Sequence, residues 1–68
     1  MKYLLMFDIP RNKNTLRNRI HRRLVKNSIK KLQDSIWFSE DEELLIDLAK
    51  EIKKSGASAR VIKFEEIL

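Results

Sequence analysis

The most hydrophobic stretch of the chain, YLLMF at residues 3–7, runs directly into Asp8, Ile9 and Pro10. Successive residues of a β-strand point to opposite faces, so this stretch places apolar side chains on both faces. These side chains are Tyr3, Leu5 and Phe7 on one face and Leu4 and Met6 on the other. Because Pro10 cannot donate a hydrogen bond to a sheet, the pattern predicts a central strand over residues 2–9 that ends there. The remainder of the fold must cover both faces of this strand.

Apolar residues at helical spacing predict two helices, over residues 12–27 and 40–55. The inward stripes are Leu16, Ile20 and Leu24 in the first helix and Leu44, Leu45, Leu48 and Ile52 in the second. A capping box of Ser39 and Glu42 is predicted to begin the second helix. Gly56 is predicted to end it as the residue after the C-cap.

Residues 29–39, IKKLQDSIWFS, are predicted to be extended, with a bend at Gln33 and Asp34 that divides them into two short strands. A last strand is predicted over residues 58–64. Right-handed crossovers then place both helices on one face of an antiparallel sheet, which is an α+β ferredoxin-like sandwich of order βαββαβ. We expect one domain over residues 1–68. Since the other sheet face would be bare and apolar, we also expect a homodimer formed through that side of the sheet.

Composition excludes several classes of site. The chain of 68 residues has no cysteine and a single histidine, His21, so disulfides and cysteine-based zinc sites are impossible and a catalytic triad is disfavoured. We expect His21 to face solvent or a phosphate. The N-terminal apolar run is too short, and too soon interrupted by Asp8, to be a signal peptide or a membrane-spanning helix. We therefore expect a cytoplasmic protein without membrane association.

Positive charge is concentrated in the first half of the chain. Residues 1–33 contain ten Lys/Arg and one acid, whereas residues 34–68 contain five Lys/Arg and nine acids. The candidate nucleic-acid-binding residues are Arg11, Lys13, Arg17, Arg19, Arg22, Arg23, Lys26, Lys30 and Lys31. No acid interrupts this series, although a solvated helix face normally mixes signs. Since no aromatic residues are interleaved with these cations, contact with a duplex backbone is favoured over stacking on single strands.

Asp8 has two interpretations on the residues alone. It caps a turn or pairs with an arginine of the first helix, or it is a catalytic carboxylate held by a rigid strand. In a homodimer two copies of Asp8 could approach each other, and a hard divalent cation such as Mg²⁺ would relieve their repulsion. Such an ion could polarise a phosphodiester. The residues leave both interpretations open.

Three ordered segments resemble the CRISPR-associated protein two family, the small dimeric partner of the CRISPR integrase. They are the strand ending Phe7-Asp8-Ile9, the helix with Leu16-Arg17-Asn18-Arg19, and the stretch Lys31-Leu32-Gln33-Asp34-Ser35-Ile36-Trp37. The final SARVIKF is similar to a common strand of the family. The chain departs from the family pattern with Phe7 for tyrosine, Lys31 for arginine, Asp34 for tyrosine and Trp37 for phenylalanine. Since lysine cannot make a bidentate arginine contact, the resemblance favours binding over catalysis.

The resemblance implies a metal-binding role for Asp8 and roles in nuclease activity or nucleic-acid contact for Arg17, Arg19, Lys31 and Trp37, with Phe7 as an accessory. It implies a homodimer that bridges two integrase dimers and holds the duplex DNA of a new spacer, with RNA as an alternative ligand. Residues 65–68, EEIL, are expected to act as a shortened form of the C-terminal extension with which many members contact the integrase.

Two related groups supply the alternatives. The segment Gln-x-Ser-x-Trp and the end of the chain also resemble a domain of phenylacetate-type transcriptional repressors, whose winged-helix domain is not expected within 68 residues. Toxin-like ribonucleases are a further group of this fold. The hypotheses are therefore a duplex-binding scaffold in CRISPR spacer acquisition, an Mg²⁺-dependent endonuclease using Asp8 from each protomer, and a domain of a regulator or toxin-like ribonuclease.

Overall fold

The computed structural model describes residues 2–64, which form a four-stranded antiparallel sheet with two helices. The elements are β1 (Lys2–Asp8), α1 (Asn14–Lys26), β2 (Lys30–Gln33), β3 (Ile36–Ser39), α2 (Glu42–Lys54) and β4 (Ser58–Phe64). The strand order is β2-β3-β1-β4, with β1 between β3 and β4. This order confirms the ferredoxin-like α+β sandwich and the central position of β1. Residues 65–68, and the integrase-contacting role predicted for them, lie outside the described residues.

The core lies between the sheet and the two helices. Leu5 of β1 is fully buried, with Trp37 of β3 and Val61 of β4 as its partners on either side. The fully buried helix side chains are Ile20 and Leu24 of α1 and Leu45, Leu48 and Ile52 of α2. Burying each such side chain contributes about 1.5–3 kcal/mol. The apolar stripes predicted from helical spacing therefore face the sheet, as expected.

The helix ends differ in detail from the prediction. A short 3₁₀ turn, Arg11–Lys13, follows Pro10, so α1 begins at Asn14. The predicted capping box of Ser39 and Glu42 is wrong, because Asp41 is the N-cap of α2 and accepts a hydrogen bond from the Leu44 backbone N–H at 3.1 Å. The helix begins at Glu42. Asp41, one residue earlier, is therefore placed so that its side chain can accept a hydrogen bond from a backbone N–H of the first turn.

The turn residues agree with the sequence pattern. Gly56 follows α2 with φ +88°, the left-handed conformation predicted for the residue after the C-cap. Pairing of β2 with β3 shifts register between Lys31 and Gln33, which confirms the predicted irregularity and the division into two short strands. Ser28, between α1 and β2, also has a positive φ of 57°.

The sheet face opposite the helices is apolar along its centre. Leu4 of β1 pairs with Phe38 of β3 and Ile62 of β4, and Met6 pairs with Ile36. All of these side chains are half-buried, as the two apolar faces of β1 predicted. We call this surface the open face. Within residues 2–64, no helix is long and apolar enough to cross a membrane.

Candidate nucleic-acid interface

Asp8 is the last residue of β1 and is exposed. Strand alternation places it on the open face, where its register partner on β4 is Ser58. A cavity of about 350 Å³ at this end of the sheet is lined by Asp8, Ser35, Ser58 and Arg60, among others. The carboxylate therefore lies beside hydroxyl groups and a guanidinium that the sequence argument did not select. The antiparallel pairing of Asp8 with Ser58 would have found Ser58, and Arg60 lies two residues further along the same face of β4.

A second cavity, of about 450 Å³, lies beyond the end of β1 and is also lined by Asp8. It brings the carboxylate together with Arg11, Arg17 and Asp34. Within residues 2–64, Asp8 makes no ion pair with either arginine and its side chain makes no hydrogen bond. The carboxylate is thus available to a ligand from two sides of the strand end.

The arginines of α1 divide between two surroundings. Arg19 Nε lies 2.6 Å from Glu51 Oε2 of α2, and Arg23 pairs with the other oxygen of the same carboxylate. Both arginines therefore connect α1 to α2. The sequence did not predict these ion pairs, because the partners are 32 and 28 residues apart. Arg22, which comes directly before Arg23 on α1, is exposed and has no such partner among the described residues.

The remaining predicted cations occupy several positions around α1 and β2. Lys26 is exposed at the end of α1, and the Lys30 ammonium lies 5.9 Å from the centre of the Phe38 ring on the open face. Lys31 pairs with Asp34 at 2.9 Å. Lys13 lies over Gly56, with its Nζ 3.8 Å from the position of a β-carbon there. The nine cations thus do not form one continuous patch.

Asp34 is the only acid that the β2–β3 turn brings to this region among the described residues. A hydrogen bond from Lys31 and the charge of that lysine lower the pKa of the Asp34 carboxyl below its ordinary value of 3.8, and the charges of Arg17 and His21 lower it further. The carboxylate is therefore ionised at neutral pH, and Arg17 and His21 of α1 lie close enough to influence it.

Trp37 belongs to the core and not to the surface. It is 4% exposed, its indole N–H donates to the Asp34 backbone carbonyl at 3.1 Å, and its ring meets that of His21 edge to face at 5.6 Å. Phe7 is half-buried against the same core. Phe7 and Trp37, the two predicted accessory residues, therefore pack beneath the site. Other side chains occupy the exposed surface between α1 and the β2–β3 turn.

A third cavity, of about 430 Å³, lies between α1 and the β2–β3 turn. Its lining residues are Phe7, Asn14, Arg17, Asn18, His21 and Asp34. The four α1 residues follow one another at spacings of three, one and three, which places them on one side of the helix. The helical spacing of these polar residues is present in the sequence. Selection by charge, however, identified only Arg17 among them.

Within residues 2–64, no group of three or more His, Cys, Asp or Glu side chains is arranged to hold a metal ion. The oxygen donors that line the cavities beside Asp8 include the hydroxyls of Ser35 and Ser58 and the carboxylate of Asp34. Carboxylate and hydroxyl oxygens suit a hard cation, and Mg²⁺ commonly uses one or two carboxylates together with water and substrate phosphate. The donor set is therefore compatible with Mg²⁺ if a second protomer or a nucleic acid supplies further oxygens.

Comparison with known proteins agrees with the fold. A protein-family model described as the PaaX protein central Cas2-like domain matches residues 3–66. No curated protein matches the chain. The matched region contains five of the six helices and strands in full and all of β1 except Lys2, including its end at Asp8. The chain therefore belongs to the family of the PaaX protein central Cas2-like domain.

Proposed function

We propose that this chain is a homodimeric, Cas2-like nucleic-acid-binding module that holds duplex DNA through backbone contacts. In this proposal it acts in the cytoplasm as a scaffold of CRISPR spacer acquisition and bridges two integrase dimers. The observation that carries the proposal is the exposed positive charge of α1, where Arg22 and Lys26 have no ion-pair partner within residues 2–64.

Electrostatics favour a polyanion over a base-specific ligand at this surface. Arg22 and Lys26 lie one helical turn apart on α1. Arg11 and Arg17 form a separate pair of cations near the end of β1. Lysine and arginine contacts to phosphate release counterions, carry no sequence information, and weaken steeply with salt. These residues are therefore expected to hold a duplex without selecting its sequence.

The open face supports the homodimer of the proposal. Leu4, Met6, Ile36, Phe38 and Ile62 form a half-buried apolar surface on the side away from the helices. A domain of this size has a thin core, and burial of a second apolar face against another copy would add to its stability. Dimerisation through this face would place two copies of the charged surface on one particle.

Duplex binding is tested by fluorescence anisotropy across a salt series. Replacing Arg22 and Lys26 together by glutamine should reduce the slope of log affinity against log salt by about 1.8, because roughly 0.9 is lost for each phosphate contact. The matched control replaces Lys50 and Lys54 of α2 by glutamine, which removes the same charge from exposed positions outside the predicted set. Equal slopes for all three proteins, or affinity that does not change with salt, would exclude the proposed surface.

A second candidate is an Mg²⁺-dependent endonuclease that uses Asp8 from each protomer, and the observation that favours it is the exposed carboxylate beside Ser35 and Ser58. In this hypothesis Asp8 of each protomer would hold Mg²⁺, and the bound ion would supply polarisation of the phosphodiester for attack by water. Cleavage of duplex DNA or RNA should require Mg²⁺ and should be lost in Asp8→Asn, while light scattering and anisotropy show an unchanged dimer and duplex affinity. Cleavage that survives the substitution would assign the activity to another source.

A regulator is the third candidate, favoured by the description of the matching family as the central domain of the PaaX protein. Co-purification with an integrase encoded beside this gene would support the CRISPR scaffold. Absence of a neighbouring integrase gene, together with a partner or adjoining segment that binds an operator sequence, would support the regulator instead.

A further inference from the structure

Two neighbouring cavities form a continuous groove beside α1. The cavity of about 430 Å³ contains Asn14, Asn18 and His21, and the cavity of about 450 Å³ contains Asp8 and Arg11. They share Phe7, Arg17 and Asp34. We call the two cavities together the Arg17 groove. Each has the volume of a site for a small organic ligand, which commonly lies between 300 and 1,000 Å³.

The wall of the groove formed by the β2–β3 turn is fixed by contacts to the sheet. The Phe7 backbone N–H donates to the Ser35 carbonyl at 3.0 Å, and the Trp37 indole N–H donates to the Asp34 carbonyl at 3.1 Å. The edge-to-face contact between Trp37 and His21, with ring planes at 81°, joins this wall to α1. The groove is therefore held open between two fixed elements, which lowers the entropic cost of binding.

Three of the polar side chains that line the groove are uncommitted. Within residues 2–64, the side chains of Asn14, Arg17 and Asn18 make no hydrogen bond or ion pair. Arg19 and Arg23 on the same helix, by contrast, are both bound by Glu51. Arg17 thus differs from the neighbouring arginines because its five N–H donors remain available to a ligand.

The charges in the groove favour a ligand that carries both donors and acceptors. A simple anion would meet Arg17 but be repelled by Asp34, and a simple cation would experience the reverse. Guanine presents N1–H and N2–H₂ donors beside O6 and N7 acceptors, so one base can satisfy a carboxylate and a guanidinium together. Asp34 retains acceptor sites for this purpose because Lys31 occupies only Oδ1.

We propose that the Arg17 groove binds one unpaired guanine nucleotide, such as an overhanging end of a bound duplex. Asp34 accepts from guanine N1–H and N2–H₂, Arg17 donates to O6 and N7, and Asn14 and Asn18 contact the remaining polar atoms. The nucleotide phosphate lies in the second cavity on the side of Arg11, which offsets the repulsion from the Asp8 carboxylate of the same cavity. This inference rests on the proposed duplex binding and adds to it a site that reads a base.

The test compares four duplexes of one sequence by anisotropy at a fixed salt concentration: a blunt duplex and duplexes with a single G, A or C overhang. We expect the G overhang to bind roughly tenfold more tightly than the A overhang, the discrimination typical of a paired set of base-edge hydrogen bonds. Equal affinity for all three overhangs would overturn the proposal. Failure of the blunt duplex to bind would instead count against the proposed function, so the two failures are distinguishable.

Substitution of Asp34 separates base recognition from backbone binding. The side chain is 94% exposed, so Asp34→Asn is not expected to disturb folding. It should remove the preference for G over A while affinity for the blunt duplex is retained or rises slightly. Asp47→Asn, which removes an exposed acid of α2, is the matched control and should keep the preference. A preference for G that survives Asp34→Asn would overturn the assignment.

Discussion

Glu51→Gln should weaken the fold and strengthen duplex binding at the same time. Glu51 is the carboxylate through which both Arg19 and Arg23 bind α2, with side-chain exposures of 25%, 45% and 39% respectively. Partly exposed ion pairs contribute about 0.2–1 kcal/mol each, so the loss of two should lower the free energy of unfolding by about 1 kcal/mol. For a domain of this size that corresponds to a decrease in Tm of roughly 4–8 °C.

The expected gain in binding follows from the same contacts. Removing the carboxylate releases two guanidinium groups on α1, the helix that is proposed to lie against the duplex. If both reach phosphates, the slope of log affinity against log salt becomes steeper by about 1.8. The ratio of variant to wild-type affinity should then change by roughly 12-fold between 50 and 200 mM salt.

Thermal unfolding by circular dichroism and anisotropy with a blunt duplex measure the two effects on the same samples. Asp47→Asn is the control, since it removes a charge from the same helix without breaking a described ion pair. Its Tm and salt slope should both stay near the wild-type values. A destabilised Glu51→Gln protein with an unchanged salt slope would show that α1 does not face the duplex, and an unchanged Tm would refute the role of the ion pairs.

Three further predictions concern the open face, a turn and a titration. Leu4→Arg places a charge at the centre of the open face, so the proposed homodimer should be lost by light scattering while circular dichroism stays native. A dimer that persists in this variant would locate the interface elsewhere. Gly56→Ala should lower the free energy of unfolding by about 1 kcal/mol, because φ +88° strains an L-residue although space for the β-carbon exists. Gly56→Asn should lower the free energy of unfolding by less. Equal losses in the two variants would contradict backbone strain as the cause. The Asp34 carboxyl should titrate by NMR with a pKa below 3.8 and move upward in Lys31→Gln. Since the folded-state pKa is lowered, the stability that Asp34 contributes is present above 3.8 and is lost as the pH falls through the folded value.

The fold was predictable because its determinants are local in sequence. Each determinant can be recognised from residues that are close together in the sequence. They are the apolar run YLLMF, the two helical stripes and the glycine with positive φ. The error at the start of α2 is also local, since it concerns two residues. Ser39 and Asp41 are both good N-cap residues, and only the position at which the helix begins decides between them. Ser39 instead accepts a hydrogen bond from the Asp41 N–H at 3.0 Å.

The candidate site was less predictable because it depends on contacts between distant segments. Charge and family resemblance selected Arg17 and Arg19 together, but only the packing of α1 against α2 shows that Arg19 is bound by Glu51 and Arg17 is not. Trp37 was selected through the family resemblance as a position for nuclease activity or nucleic-acid contact, and its burial follows from pairing with Leu5 on the helix side of the sheet. Asn14 escaped notice because a neutral amide gives no charge signal.

Stability and ligand binding are therefore separable over most of α1. The helix buries only a narrow aliphatic stripe, Leu16, Ile20 and Leu24, so most of its circumference is available for charged and polar side chains. Substitutions at Arg17 or Arg22 should change binding with little effect on folding, since neither is buried or paired within residues 2–64. Glu51 is different because one carboxylate both joins the helices and neutralises two arginines. That shared contact is why its substitution should move stability and duplex affinity in opposite directions.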